Sequence, residues 1–270
     1  MNASHLIEIT RKLAPTLLPL LLLPLTQLLA EWSKGQVVRA LGWWGVPLTT
    51  GWLGVPLHEA SHVVAAKLLG RTVVRVRWFA PDADTGTLGA VEWQPGTGPL
   101  AWLAVLAVGV APLVAGTLAL RGLLQLVAYT MDLPLPSAPL ATDLHGWLAA
   151  TLALGRWALT LTHTVWMRHD ALAWLAPLGW WTVASVAAHL TPSRADLRGV
   201  WRGVLLLAAT AIAVMVACEV ARIPWRGPLL QAVLAMAWWL MPGLLLAVPA
   251  TLTVGLLASV LALLNPHRRP

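Results

Sequence analysis

The chain has 270 residues, of which 58% are hydrophobic and only 11% charged, with a mean hydropathy of +0.73. An ordinary soluble domain carries about 25% charged residues, so this composition excludes that class and points to a polytopic protein held in a lipid bilayer. The formal charge of +7 comes from short arginine clusters at the ends of apolar runs, which reads as membrane orientation and not as a nucleic-acid surface, and the single Cys218 excludes an intrachain disulfide.

Arg11 and Lys12 precede an apolar run over 13–30 that contains Pro15, Pro19 and Pro24. Leu28 ahead of Ala30 is a poor match to a small-x-small cleavage site, so a retained, kinked first span is expected rather than a signal peptide. A polar link over 31–39 leads to the second apolar segment, 46–69. Gly42, Gly45, Pro47, Gly51, Gly54 and Pro56 crowd its approach, and an irregular or re-entrant start is expected there. After Gly70, residues 72–79 alternate with many β-branched side chains, 81–86 supply a turn and 87–93 return, which predicts a β-hairpin over 72–93.

A span over 99–120 follows, interrupted by Gly109-Val-Ala-Pro112, and then a proline-containing loop over 121–143. Spans are also expected over 171–190 and 200–221. The last apolar run, 228–264, exceeds one ordinary crossing of about 20 residues, so it is one long kinked helix or two short ones. Residues 144–166 carry Arg156 mid-run. If they are re-entrant or interfacial, Arg194, Arg198 and Arg202 fall on the cytoplasmic side, as the positive-inside rule favours; if they cross fully, the cluster falls outside. Seventeen tryptophans against one tyrosine and one phenylalanine suit anchoring at the headgroup level. The expected fold class is thus an all-α polytopic membrane protein. It forms a single integral membrane domain of about six transmembrane helices plus a short β-hairpin.

The chemistry is concentrated in the second segment, in His58-Glu59-Ala60-Ser61-His62. On a helix, His58 and His62 lie one turn apart on one face, where two neutral imidazoles can take two positions around Zn²⁺. Glu59 projects beside that face, where a carboxylate can relay a proton from water to a leaving amine. A histidine pair merely hydrogen-bonded to neighbouring helices leaves an acid in an apolar segment unexplained. A zinc site needs a third protein ligand from another element; the candidates are Asp143, His145, His163, His169, Asp170, His189, Asp196 and Glu219. The segment 188–199 joins two spans and offers two of them, Asp196 first and His189 as the alternative. Ser193 and Asp196 also have the spacing of a capping box, which accounts for Asp196 equally well.

With these pieces in hand, the chain resembles the site-2 protease family of intramembrane zinc metalloproteases. The likeness lies in His58-Glu-Ala-Ser-His62 within an apolar helix, the short hairpin with Thr87-Leu-Gly89, the following Gly109-x-x-Pro112, and Pro192-Ser193-Arg-Ala-Asp196, which is similar to a segment of small bacterial members. It covers 46–120 and 185–200. The resemblance implies zinc-dependent hydrolysis of membrane-protein substrates, with His58 and His62 as ligands and Glu59 as base. A bacterial inner (plasma) membrane is expected, and the positive-inside rule, with Arg11 and Lys12 in the cytoplasm, puts the site towards the cytoplasmic side. The family's usual third ligand, an aspartate in an Asn-Pro-x-Pro…Leu-Asp-Gly context, has no counterpart here, so Asp196 enters by position. The hairpin offers an edge strand for an unwound substrate, or simply a cap over the site. Competing readings are a non-catalytic zinc-binding scaffold, an ion-coupled transporter, which lacks the paired broken helices of matching halves, and a prenyl-protein protease, which the hairpin does not fit.

Overall fold

The computed structural model describes residues 17–98, 101–136, 144–167, 174–193, 195, 196, 198, 200–224 and 226–264. These residues form seven α-helices: α1 Leu17–Leu41, α2 Trp52–Leu68, α3 Ala101–Thr130, α4 Leu144–Trp166, α5 Leu175–Ala188, α6 Val200–Val220 and α7 Arg226–Leu264. One two-stranded antiparallel hairpin, β1 Thr72–Arg77 and β2 Ala90–Gln94, is set between α2 and α3. Three helices, α3, α6 and α7, contain stretches long and apolar enough to cross a membrane.

Several boundaries differ from expectation for identifiable reasons. The polar stretch 31–39 is not a link but the second half of α1. Ala30, Ser33, Val37 and Ala40 bury along one side at helical spacing, and Glu31 and Lys34 pair across one turn at 3.8 Å. The helix stops at Gly42, whose φ of +79° is the left-handed conformation that glycine adopts without strain. Similarly, α3 continues through 121–130 instead of opening into a loop, because Leu124 and Ala128 are buried and the Arg121 guanidinium lies 4.3 Å over the Trp239 ring. The final apolar run is one helix of 39 residues with Pro242 and Pro249 inside it, about 58 Å long at 1.5 Å per residue.

The hairpin is present with shorter strands, pairing Thr72 with Gln94 and Arg77 with Ala90, and its register shifts between Val73 and Arg75. That bulge places Arg75, Arg77 and Glu92 on the outer face and Val73, Val76, Val91 and Trp93 on the inner one. The main core lies where α3, α5 and α7 meet, around Leu120, Ala187, Leu190, Leu244 and Ala247. The expected first-span residues 13–16, together with Arg11, Lys12 and Arg194, lie outside the described residues.

Candidate metal centre

Helix α2 is entered through a π-helical turn, Pro47–Gly51. Pro47 and Pro56 withhold two backbone N–H groups from this stretch, which loosens the regular hydrogen-bond ladder, and a π turn is one way to absorb that. The Thr49 carbonyl accepts a 2.7 Å hydrogen bond from the Trp181 indole N–H of α5, and Trp181 stacks on Trp52. The start of α2 is therefore tied to α5 before the motif begins.

One turn further on, His58 and His62 point the same way, with their Nε2 atoms 3.2 Å apart. Asp196 closes the group: its Oδ2 is 3.2 Å from His58 Nε2 and its Oδ1 is 3.1 Å from His62 Nε2. The other ring nitrogens are both held by main-chain carbonyls, His58 Nδ1 donating to His189 and His62 Nδ1 to Val108, each at 2.8 Å. A carbonyl oxygen only accepts, so both Nδ1 atoms carry hydrogen and both Nε2 atoms are left to face the carboxylate.

Two imidazole lone pairs and a carboxylate this close require positive charge among them, either a proton held as an imidazolium–carboxylate pair or a metal ion. Asp196 is ionised in both cases. Burial opposes this, but the close imidazoles, one of them protonated when no ion is bound, and the Ser193 N–H outweigh it and hold the carboxyl well below the usual carboxylate range. The spacing fits a metal: a tetrahedron with a centre-to-vertex distance of about 2.0–2.1 Å has edges of about 3.3–3.4 Å, close to the three separations here. His58, His62 and Asp196 can thus hold a metal ion.

The delivery of Asp196 rests on two close approaches. A Cβ at Gly109 of α3 would lie 2.5 Å from Val200 Cγ2 and 2.6 Å from the Asp196 carbonyl oxygen. A Cβ at Gly54 of α2 would meet the Ser185 carbonyl and lie 2.6 Å from His189 Cδ2. Only hydrogen at these two positions lets the 185–200 segment seat between α2 and α3. The capping geometry is present as well: the Ser193 N–H donates to Asp196 Oδ2 at 2.6 Å, and the Asp196 N–H donates to Ser193 Oγ at 3.2 Å. These reciprocal bonds close a turn ahead of α6, which begins at Val200, so the Asp196 carboxylate holds that turn and joins the cluster at once.

His189, the alternative third ligand, is placed otherwise. Its ring turns away, with Nε2 3.2 Å from Thr50 Oγ1, and it serves the cluster only through its carbonyl. The reason is local, since the ring is packed against Gly54 and buried. His145 and His163 are exposed on α4, while Asp143, His169, Asp170 and the side chain of Glu219 lie outside the described residues.

Glu59 is buried, at 6% exposure, and borders the same cavity of about 880 Å³ as His58, His62 and Asp196. The returning arm of the hairpin, 86–91, forms another wall, and a Cβ at Gly89 would lie 2.9 Å from Glu59 Oε1. Sequence reasoning did not single out Thr50 or the Val108 carbonyl. Among the glycines crowding the approach to α2, Gly54 is a seat for another element.

Fold and site together define a mostly helical protein with long apolar helices and a half-buried group of metal-ligating type on the wall of a cavity that Glu59 also borders. In comparisons with known proteins, no family model, no curated protein and no solved structure matches the chain.

Proposed function

We propose that the protein is an intramembrane zinc metallopeptidase that hydrolyses peptide bonds of membrane-embedded proteins. In this reading α1, α2, α4 and α5 join α3, α6 and α7 in about six crossings with one or more partial ones. The site opens towards the cytoplasmic side of a bacterial inner membrane. The observation that carries the proposal is Glu59: a buried acid on the wall of the cavity that also holds His58, His62 and Asp196. Metal binding needs only the three ligating groups, and packing needs no acid, whereas peptide hydrolysis needs a proton carrier.

His58, His62 and Asp196 would hold the ion, and zinc suits two imidazoles and a carboxylate with a position left open. A zinc ion bound there supplies a Lewis acid that polarises a carbonyl and lowers the pKa of water. Glu59 accepts a proton at a carboxylate oxygen and returns it to the departing amine. The carbonyls of His189 and Val108 keep both imidazoles in the ligating tautomer throughout. The hairpin arm over Glu59 limits water and borders the path by which an unwound segment enters.

The test is Glu59→Gln, which keeps shape and removes the base. The variant is expected to retain zinc and fold and to leave membrane-protein substrates uncleaved in cells, with turnover reduced by about 10²–10⁴-fold. If its membrane-protein fragments match those of wild type while zinc is retained, the peptidase reading fails and a metal-binding scaffold takes its place.

A further inference from the structure

Helix α1 contributes a second polar wall to this cavity. Gln27, Glu31 and Lys34 recur at i, i+4 and i+7 on one face of this leucine-rich helix, and all three border the cavity that contains His58, Glu59 and Asp196. Helix packing does not call for them: the buried side of α1 is formed by Thr26, Ala30, Ser33, Val37 and Ala40. Glu31 and Lys34 form an ion pair, but one too long to be a hydrogen bond. Glu31 Oε1 and Lys34 Nζ are 3.8 Å apart across one turn, the Glu31 side chain is 64% exposed, and Gln27 has no charge to cancel.

We infer that this stripe, given the peptidase reading above, is a subsite for the main chain of an unwound, extended substrate segment. A helix must release its N–H and C=O groups before a carbonyl can be attacked, and each released group needs a new partner where water is scarce. The stripe supplies both kinds. The Gln27 amide donates and accepts, the Lys34 ammonium donates to carbonyls, and the Glu31 carboxylate accepts from N–H groups. Recognition of this type reads peptide backbone and not side-chain identity, so the ligand class is an extended peptide of at least a few residues.

Two probes separate this subsite from the peptidase reading on which it rests: acetohydroxamate, which offers only a chelating head, and an N-acylated tripeptide hydroxamate, which adds a peptide backbone. Both are titrated into full-length, zinc-loaded protein in detergent micelles, using wild type, Lys34→Gln and the double variant Gln27→Leu/Lys34→Met, with zinc content measured in each. On wild type the tripeptide compound is expected to bind at least about tenfold more tightly than acetohydroxamate, through its added backbone hydrogen bonds. The double variant is expected to keep its zinc and its acetohydroxamate affinity and to lose most of that advantage, while Lys34→Gln, which still donates, keeps the larger part. A full advantage in the double variant, or none in wild type, overturns the subsite. If neither compound binds zinc-loaded wild type, the zinc offers no open position, and the peptidase reading falls with the subsite.

Discussion

His58 Nδ1 donates to the main-chain carbonyl of His189 at 2.8 Å, so an imidazole on α2 is oriented by the backbone at the end of α5. That carbonyl is itself held in place by the His189 ring, whose Nε2 lies 3.2 Å from Thr50 Oγ1. Thr50→Val keeps the volume and removes the hydroxyl, and it leaves the three cluster residues themselves unchanged. Zinc affinity is expected to fall by about 10–100-fold, as for other groups that orient a ligating histidine. Competition with a chelator measures this, and unchanged affinity would mean that the Thr50–His189 contact does not orient His58.

Ser193 and Asp196 separate capping from ligation. Ser193→Ala removes the cap oxygen but leaves the Ser193 N–H, so it is expected to cost about 0.5–2 kcal/mol of stability and to spare zinc. Asp196→Ala is expected to empty the site, as are His58→Ala and His62→Ala. Zinc content of purified variants, read beside thermal unfolding, tests both expectations.

Gly109 is the seat of Asp196 on α3, next to the Val108 carbonyl that holds His62. Gly109→Val drives new methyl groups into Val200 and the Asp196 backbone, at a cost of about 1–3 kcal/mol from overpacking. Zinc is expected to be lost even though no ligand has changed. Retention of zinc at wild-type affinity would show that the 185–200 segment can shift without moving Asp196.

Topology follows from the hairpin and the Asp196 segment bordering one cavity. In a Cys218→Ser background, single cysteines replacing Asp84 and Arg198 are expected to react with an impermeant thiol reagent from the cytoplasmic side, and one replacing Asp132 from the other side. Labelling of positions 84 and 198 from opposite sides contradicts the shared cavity.

Asp82 supplies a pH dependence away from the site. Its carboxyl accepts hydrogen bonds from the Thr85 hydroxyl and from the N–H groups of Asp84 and Thr85, which hold it below the usual carboxylate range. A depressed folded pKa means that this stabilisation of the turn is complete above the unfolded value of about 3.9 and is lost as pH falls through the lower, folded one. Amide exchange at residues 84 and 85, corrected for its intrinsic pH dependence, is therefore expected to speed up only in that acid range, and Asp82→Ala to show fast exchange at neutral pH with zinc unaffected.

Local periodicity determined the parts of this protein that could be read without a fold. Four-residue spacing puts His58 and His62 on one helical face whatever surrounds them, alternation marks 72–93 as a hairpin, and apolar runs mark the helices. Helix ends were less legible, because 31–39 and 121–130 are helical through burial against other elements and through contacts such as Arg121 on Trp239. Only the tertiary structure decided between Asp196 and His189. Both lie within a few residues on one connecting segment, and no spacing rule says which side chain turns inward. Hydrogen atoms at Gly54 and Gly109 let that segment descend between two helices, Thr50 draws the His189 ring aside, and the carboxylate of Asp196 is left to meet both imidazoles. A third ligand is a long-range contact, set by how closely backbones can approach, and that is a property of packing rather than of any stretch of sequence.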